Sequence, residues 1–273
     1  YVIAVSVNSG ETGDIALLLL TLVSCLGSNI FIVGLNQLTD IEIDKINKPY
    51  LPLASGAYST RQAGWIIGSS VVLSVALAIL VGPYLLATVI FSLLLGTAYS
   101  LPPFRLKRYY FWAAFCIIAV RGLIVNLLLF LHFNSSLNGS AEIVPLVWTL
   151  TAVIFVYSIV IAWFKDMPDT SGDKTYGIST LSIRLGTRQV YRVGNFLMGA
   201  LYAVMIALPY MVDLKANAVA LSAAHILFAC LLALATRRVK FDDKASLFQY
   251  YQFIWLLFFM EYVAFGTSAI QSG

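Results

Sequence analysis

The stretch Ile15-Ala-Leu-Leu-Leu-Leu-Thr-Leu-Val-Ser-Cys-Leu-Gly-Ser-Asn-Ile-Phe-Ile-Val-Gly-Leu35 carries no charged side chain, and it runs directly into Asn36-Gln37-Leu38-Thr39-Asp40-Ile41-Glu42-Ile43-Asp44. At about 1.5 Å per helical residue, the apolar part alone covers the ~30 Å of a hydrocarbon core. Lipid offers no partner to a backbone N–H or C=O, so a segment of this length satisfies itself only as a helix. Working outward, similar runs recur at about 63–81, 83–101, 109–131, 143–164, 193–212, 216–236 and 246–270. They lack the short alternating pattern of barrel strands. The expected fold is an all-α polytopic membrane bundle, a single domain over 1–273 with pseudo-repeated halves at about 1–131 and 132–273. Composition agrees: 60% of residues are hydrophobic and 11% charged, with a mean hydropathy of +0.87, outside the range of soluble globular domains.

The opening Tyr1-Val-Ile-Ala-Val-Ser-Val7 is apolar but too short to span. It reads as the tail of a truncated helix, so the natural protein is expected to start further upstream. If the first full span exits on one side, the segments near 36–62, 102–108, 165–192 and 237–245 share that side and hold 15 of the 17 Lys and Arg. The positive-inside rule makes that side cytoplasmic or stromal. The net charge of +4 therefore reports membrane orientation and not nucleic-acid binding.

Only 13 residues are acidic, and six of them fall in two windows, Asp40, Glu42 and Asp44 in the first, Asp166, Asp169 and Asp173 in the second. Both windows follow spans that run in the same direction, and Asp40 and Asp44 each lie 129 residues before Asp169 and Asp173, a spacing that fits two similar halves. Asn36, Asp40 and Asp44 recur every four residues, so a helix continuing past the span projects all three from one face. Like charges at that spacing repel unless a cation lies between them, and oxygen-only ligands suit Mg²⁺, which bridges to phosphate oxygens. Solvated acids at a helix end are the plain alternative, weakened by the second cluster at Asp166, Asp169 and Asp173 with Lys165 beside it. Lys45, Lys48, Arg105, Lys107, Arg108, Lys174 and Arg184 lie close to the acids in sequence. Together these groups make a diphosphate the expected anion, although each cation taken singly is equally a membrane anchor.

Arg121 stands inside a span, where a charge is costly and faces a partner or a watery cavity. Three readings stay open for it: the diphosphate, a substrate carboxylate, or a structural pairing. Glu261 lies within the last span with no motif around it. His132 and His225 read as packed or hydrogen-bonded side chains, and Cys25, Cys116 and Cys230 as small buried hydrophobes without disulfide or zinc spacing.

Asn36-Gln37-x-x-Asp40-x-x-x-Asp44 followed by Asn47-Lys48-Pro49-Tyr50-Leu51-Pro52-Leu53-Ala54-Ser55-Gly56 resembles the first motif of the UbiA-type intramembrane aromatic prenyltransferases. Tyr99-Ser100-x-Pro102-Pro103-x-Arg105-x-Lys107-Arg108 and Lys165-Asp166-x-Pro168-Asp169-x-x-Gly172-Asp173 are similar to the homogentisate branch of that family, the phytyl- and solanesyltransferases. The resemblance extends to Tyr250-Tyr251-Gln252-Phe253-Ile254-Trp255 in the last span, and Leu53-Ala54-Ser55-Gly56 leans toward the phytyl donor. It implies nine helices, the first largely missing in this chain together with an Arg-Pro element expected near the aromatic substrate.

The resemblance further implies a site open to lipid in a cyanobacterial or plastid membrane. Mg²⁺ would be held by Asn36, Asp40, Asp44, Asp166, Asp169 and Asp173, with Asp40, Asp44, Asp169 and Asp173 carrying the catalysis. The diphosphate would contact Lys48, Arg105, Lys107, Lys165 and Arg121. The implied reaction transfers a phytyl group from its diphosphate to homogentisate with loss of CO₂, a step of tocopherol synthesis. A solanesyl donor, serving plastoquinone synthesis, is the alternative within the branch. An ion-coupled transporter is the alternative outside it, and it would place the acids deep in broken spans instead of at span ends.

Overall fold

The computed structural model describes residues 1–7, 13–168 and 180–270, apart from the side chains of Asn47 and Tyr110. It is helical along nearly all of that length, with eight helices long and apolar enough to cross a membrane. In chain order the helices are α1 (Val2–Ser6), α2 (Ile15–Thr39), α3 (Ile41–Asn47), α4 (Thr60–Val81), α5 (Pro83–Ser100), α6 (Tyr110–Ile118), α7 (Val125–Asn138), α8 (Pro145–Phe164), α9 (Leu181–Leu185), α10 (Thr187–Met211), α11 (Ala218–Thr236) and α12 (Lys244–Ile270). A single 3₁₀ turn, Leu106–Arg108, precedes α6, and a π-helical segment, Ala119–Ile124, joins α6 to α7 into one span, Phe111–Asn138. All eight apolar runs become spans, and the first reaches past Leu35 to Thr39, which carries the helix to the edge of the acidic window.

Contacts divide the chain into two compact units, Thr12–Cys116 and Tyr1–Glu11 with Ile117–Gly273. In the first unit α2, α4 and α5 pack against one another. Since lipid tails are as apolar as leucine, burial drives helix association weakly in a membrane, and small residues that allow close approach take its place. Ser24 and Ser74 show this directly. Each hydroxyl donates to the other residue's carbonyl, Ser24 Oγ to Ser74 O at 2.9 Å and Ser74 Oγ to Ser24 O at 2.6 Å. Beside them a Cβ on Gly27 would lie 2.8 Å from Ser70 O, a backbone atom that cannot swing away.

In the second unit α8 is the centre. It is the most buried span, with 61% of its apolar window covered against 22–50% for the other seven. Helices α7, α10 and α12 and the π-helical segment all contact it, and Ile154, Tyr157, Val160 and Phe164 are fully buried. The short α1 packs on α7 and α12 and is tied down by Asn138 Nδ2 donating to Ala4 O at 2.8 Å. Side chains on the outside of this unit, such as Phe196 and Met211, are 78% and 81% exposed, as surfaces facing lipid should be.

A connected polar group lies inside this second unit. Tyr157 Oη lies 2.5 Å from Tyr202 Oη and donates to Glu261 Oε1 at 3.1 Å. His225 Nδ1 lies 2.7 Å from the Leu221 carbonyl, which can only accept, so that nitrogen carries a proton. His225 Nε2 then faces Glu261 Oε2 at 3.1 Å, off the line of a good hydrogen bond, and both side chains are fully buried. His225 is thus a structural partner of Glu261, as a packed histidine should be, and Glu261 has the partner that the sequence did not name. Of the cysteines, all three are free, and Cys230 is exposed on its span instead of buried because it falls on the outward face of α11.

Gly27→Val drives a branched side chain into the α4 backbone, and overpacking of this kind costs about 1–3 kcal/mol. The purified variant should unfold at lower temperature in detergent than the parent, with its helical circular dichroism at low temperature unchanged.

Candidate active site

Helix α2 does not run on through the acids. Asp40 leaves helical geometry at φ −121° and ψ 15°, its N–H reaching back to Gln37 O at 3.3 Å, and α3 starts at Ile41. The expected single stripe of Asn36, Asp40 and Asp44 on one helix is therefore broken at its middle member. Two i,i+4 backbone bonds resume at once, Asp44 N–H to Asp40 O at 2.8 Å and Lys48 N–H to Asp44 O at 2.7 Å. The break turns the Asp40 carboxylate toward the loop that follows α5.

That loop supplies two cations. Arg105, in a left-handed conformation at φ 38°, leads into the 3₁₀ turn that holds Lys107. Lys107 Nζ donates to Asp40 Oδ2 at 2.7 Å, Thr39 Oγ1 at 2.8 Å and Asn36 Oδ1 at 3.1 Å, a full set of three acceptors for an ammonium. Arg105 Nη2 lies 3.2 Å from Asp40 Oδ1 and 3.4 Å from Thr39 O. The side chains are only 15% exposed at Asp40, 11% at Lys107 and 24% at Arg105, so the pairing is shielded from water. Such pairs resist being broken, because removing one partner strands a half-desolvated charge.

The electrostatics follow from this burial. Burial lowers the affinity of Lys107 for its proton, while the hydrogen bond and charge of Asp40 oppose the change. Asp44 is pushed above the ordinary carboxylate range by burial and by Asp40, with Lys48 and Lys107 pulling it back. Asp44 therefore shares the local field without joining the hydrogen-bonded group. Thr39 is the member the sequence reading missed; its signal was a hydroxyl three residues after Asn36, on the same turn.

Three oxygens of different types, from an amide, a hydroxyl and a carboxylate, surround one positive charge at 2.7–3.1 Å. The Lys107 ammonium shows that the cradle accepts a cation, and an all-oxygen donor set matches the preference of Mg²⁺. Among the described residues no three Asp, Glu, His or Cys side chains converge, so the acids of the first window alone do not enclose a metal.

The other expected residues divide. Lys48 caps α3. Lys45 pairs with Glu42 at 2.7 Å on the surface and not with the cradle. In the second unit Lys165 and Asp166 follow the end of α8 and approach to 4.0 Å. Asp169, Asp173 and Lys174 lie outside the described residues, and Arg184 sits on α9. Arg121 occupies the π-helical segment, its guanidinium 4.3 Å above the Trp255 ring.

A sequence model of the UbiA prenyltransferase family matches residues 1–257. The chain belongs to that family. It is 42% identical over 260 residues to a homogentisate phytyltransferase of a Synechocystis species, covering 95% of this chain and 84% of the relative. It is 40% identical over 263 residues to the chloroplastic homogentisate phytyltransferase 1 of Arabidopsis thaliana, covering 93% of this chain and 67% of that protein. The fold matches a UbiA homologue from Archaeoglobus fulgidus, solved with GPP and Mg²⁺, at a TM-score of 0.63 and 20% identity over 99% of this chain and 94% of that one. A prenyltransferase of the UbiA fold thus carries its first acid motif as a break between α2 and α3, where lysine and arginine already sit on the aspartate.

Asp40→Asn keeps hydrogen-bond acceptance but removes the charge that Lys107 and Arg105 share. Its prenyl-transfer turnover should fall at least ~100-fold, the scale of losing one electrostatic group in a catalytic site. Circular dichroism should show the helices retained.

Proposed function

We propose that this protein transfers a prenyl group, with phytyl the favoured donor, from its diphosphate to homogentisate, as a step of tocopherol synthesis in a cyanobacterial or plastid membrane. The observation that carries the reading is the Asn36–Thr39–Asp40 oxygen cradle and its two cations, set at the end of a membrane span in a chain this similar to the Synechocystis enzyme. Charge for an anion and apolar surface for a lipid tail meet at that place.

In this reading Asn36, Asp40 and Asp44 would hold Mg²⁺, and the family resemblance gives Asp166, Asp169 and Asp173 of the second motif the same duty. Bound there, Mg²⁺ would neutralise charge that gathers on the departing diphosphate. Lys107 and Arg105 supply donors to the same oxygens, and Lys48 and Lys165 add positive field from the segments beside the two motifs. The C1–O bond breaks and its electron pair leaves with the diphosphate. The allylic carbon bonds to the aromatic ring, the ring loses a proton, and the acetate arm loses CO₂ and takes up a proton to become methyl. Apolar helices keep water from the carbocation during this interval.

Lys107 has a second part in this account. Its ammonium neutralises Asp40 across 2.7 Å, and beside a metal held by those oxygens it would serve as a donor to the phosphate. Its three bonds to the cradle are the basis for this reading.

Purified protein in detergent with Mg²⁺, homogentisate and phytyl diphosphate should form methylphytylbenzoquinol, and EDTA should abolish the product. Preference for solanesyl diphosphate would move the protein to plastoquinone synthesis. No product with either donor would remove homogentisate as the acceptor.

A further inference from the structure

Arg121 lies in the span Phe111–Asn138, and its surroundings are built with care for a residue of one charge. Over Ala119–Ile124 the backbone is π-helical, with Val125 N–H bonded to Val120 O, which opens the ladder by one residue. π-bulges of this kind are uncommon and recur at functional sites. One side chain reaches two carbonyls of the bulge: Asn126 Nδ2 donates to Arg121 O and to Gly122 O, each at 3.0 Å. Tyr262 Oη on α12 in turn donates to Asn126 Oδ1 at 2.9 Å and fixes the amide. The bulge is therefore held from a second helix.

The guanidinium itself is stacked, 4.3 Å above Trp255 and 5.9 Å from Phe258. Stacking uses the faces of the group and leaves its N–H edge free for an anion. Nη1 is buried and has no hydrogen-bond partner. A buried, unsatisfied cationic donor inside a membrane span is costly unless something fills it.

Depth decides which anion that is. Gly122 sits against α8 at Phe155, where a Cβ would come 3.4 Å from Phe155 Cα. Lys165, which follows α8, lies ten residues beyond Phe155, about 15 Å along the helix at 1.5 Å per residue. Trp255 agrees, eleven residues into α12, about 16 Å by the same rise. A diphosphate held at the acidic edge by Lys165 and Asp166 is centred at a different level of the span from the Arg121 backbone. The level of Arg121 suits a second anion, on a molecule whose flat aromatic body matches the Trp255, Phe258 and Tyr262 side of α12.

We propose that Arg121 binds the carboxylate of the aromatic acid acceptor, a deepening of the reading above on which it rests. The bulge aims the guanidinium, Trp255 holds its plane, and the free N–H edge receives the carboxylate. The basic residue first grouped with the diphosphate is thereby assigned to the other substrate.

The test compares the parent with Arg121→Met and Arg121→Lys, full chain in nanodiscs, by equilibrium binding of labelled homogentisate without donor and by KM for each substrate. Losing a charge-assisted hydrogen bond should weaken homogentisate binding roughly 10- to 100-fold in Arg121→Met. The KM for phytyl diphosphate should stay within about twofold, since no shared binding is removed. Methylhydroquinone, which carries a methyl in place of the acetate arm, should lose less than homogentisate does in Arg121→Met, and Arg121→Lys should recover part of the homogentisate affinity. A raised KM for the diphosphate with homogentisate binding unchanged would overturn the assignment in favour of the donor. Unchanged binding of both substrates with a lower melting temperature would reduce Arg121 to a cation–π pin. A parent protein that binds no homogentisate would overturn the acceptor reading together with this one, whereas a parent that binds and prenylates it beside an equally tight Arg121→Met would overturn this one alone.

Discussion

A single carboxylate, Asp40, stands at the boundary between an apolar span and a basic loop, and the local structure gathers donors and cations around it. The helix breaks at its Cα, Thr39 and Asn36 offer neutral oxygens beside it, and Lys107 and Arg105 close over it. Each part makes sense only with the others. The break takes Asp40 out of helical geometry, and the two cations supply the partners that a shielded carboxylate needs. The same constraint explains why oxygen donors of low charge, Asn36 and Thr39, surround one acid where a cluster of acids might be expected. Fewer negative charges have to be neutralised when no divalent cation is present.

The apolar surroundings impose a second rule, that every polar group in a span must find a partner inside the protein. Ser24 and Ser74 meet it by exchanging hydrogen bonds, and Tyr157, Tyr202, Glu261 and His225 meet it as a connected group around α8. Asn126 meets it for the carbonyls of the π-helical bulge. Several buried atoms in the spans remain without a hydrogen bond, among them Ser28 Oγ, Thr151 Oγ1 and Arg121 Nη1, and of these three only the arginine carries a charge.

Much of this was legible in the sequence for a physical reason. Hydropathy over twenty residues is a strong signal, so all eight spans were visible, and the sparse acids marked the motif. The chemistry of Asp40 was legible from the company of Asn36, Lys107 and Arg105, although their meeting across more than sixty residues is a fact of packing. The break at Asp40 was not legible, since an i,i+4 recurrence reads as continuous helix whatever the backbone does between its members. A π-bulge shifts the register by one residue and leaves hydropathy unchanged, so it was not legible. Glu261 and His225 each announced a need for a partner, but nothing in either span named the other.

The central claim is that Asp40 and its oxygen neighbours bind a prenyl diphosphate through a divalent cation. The most direct measurement is the equilibrium affinity of the purified protein for phytyl diphosphate, with Mg²⁺ and with EDTA, in the parent and in Asp40→Asn. Tight binding that requires Mg²⁺ in the parent, and that weakens on the order of tenfold or more in Asp40→Asn as a charge-assisted contact is lost, is the predicted result. Equal affinity in both proteins, or an affinity indifferent to EDTA, would contradict it.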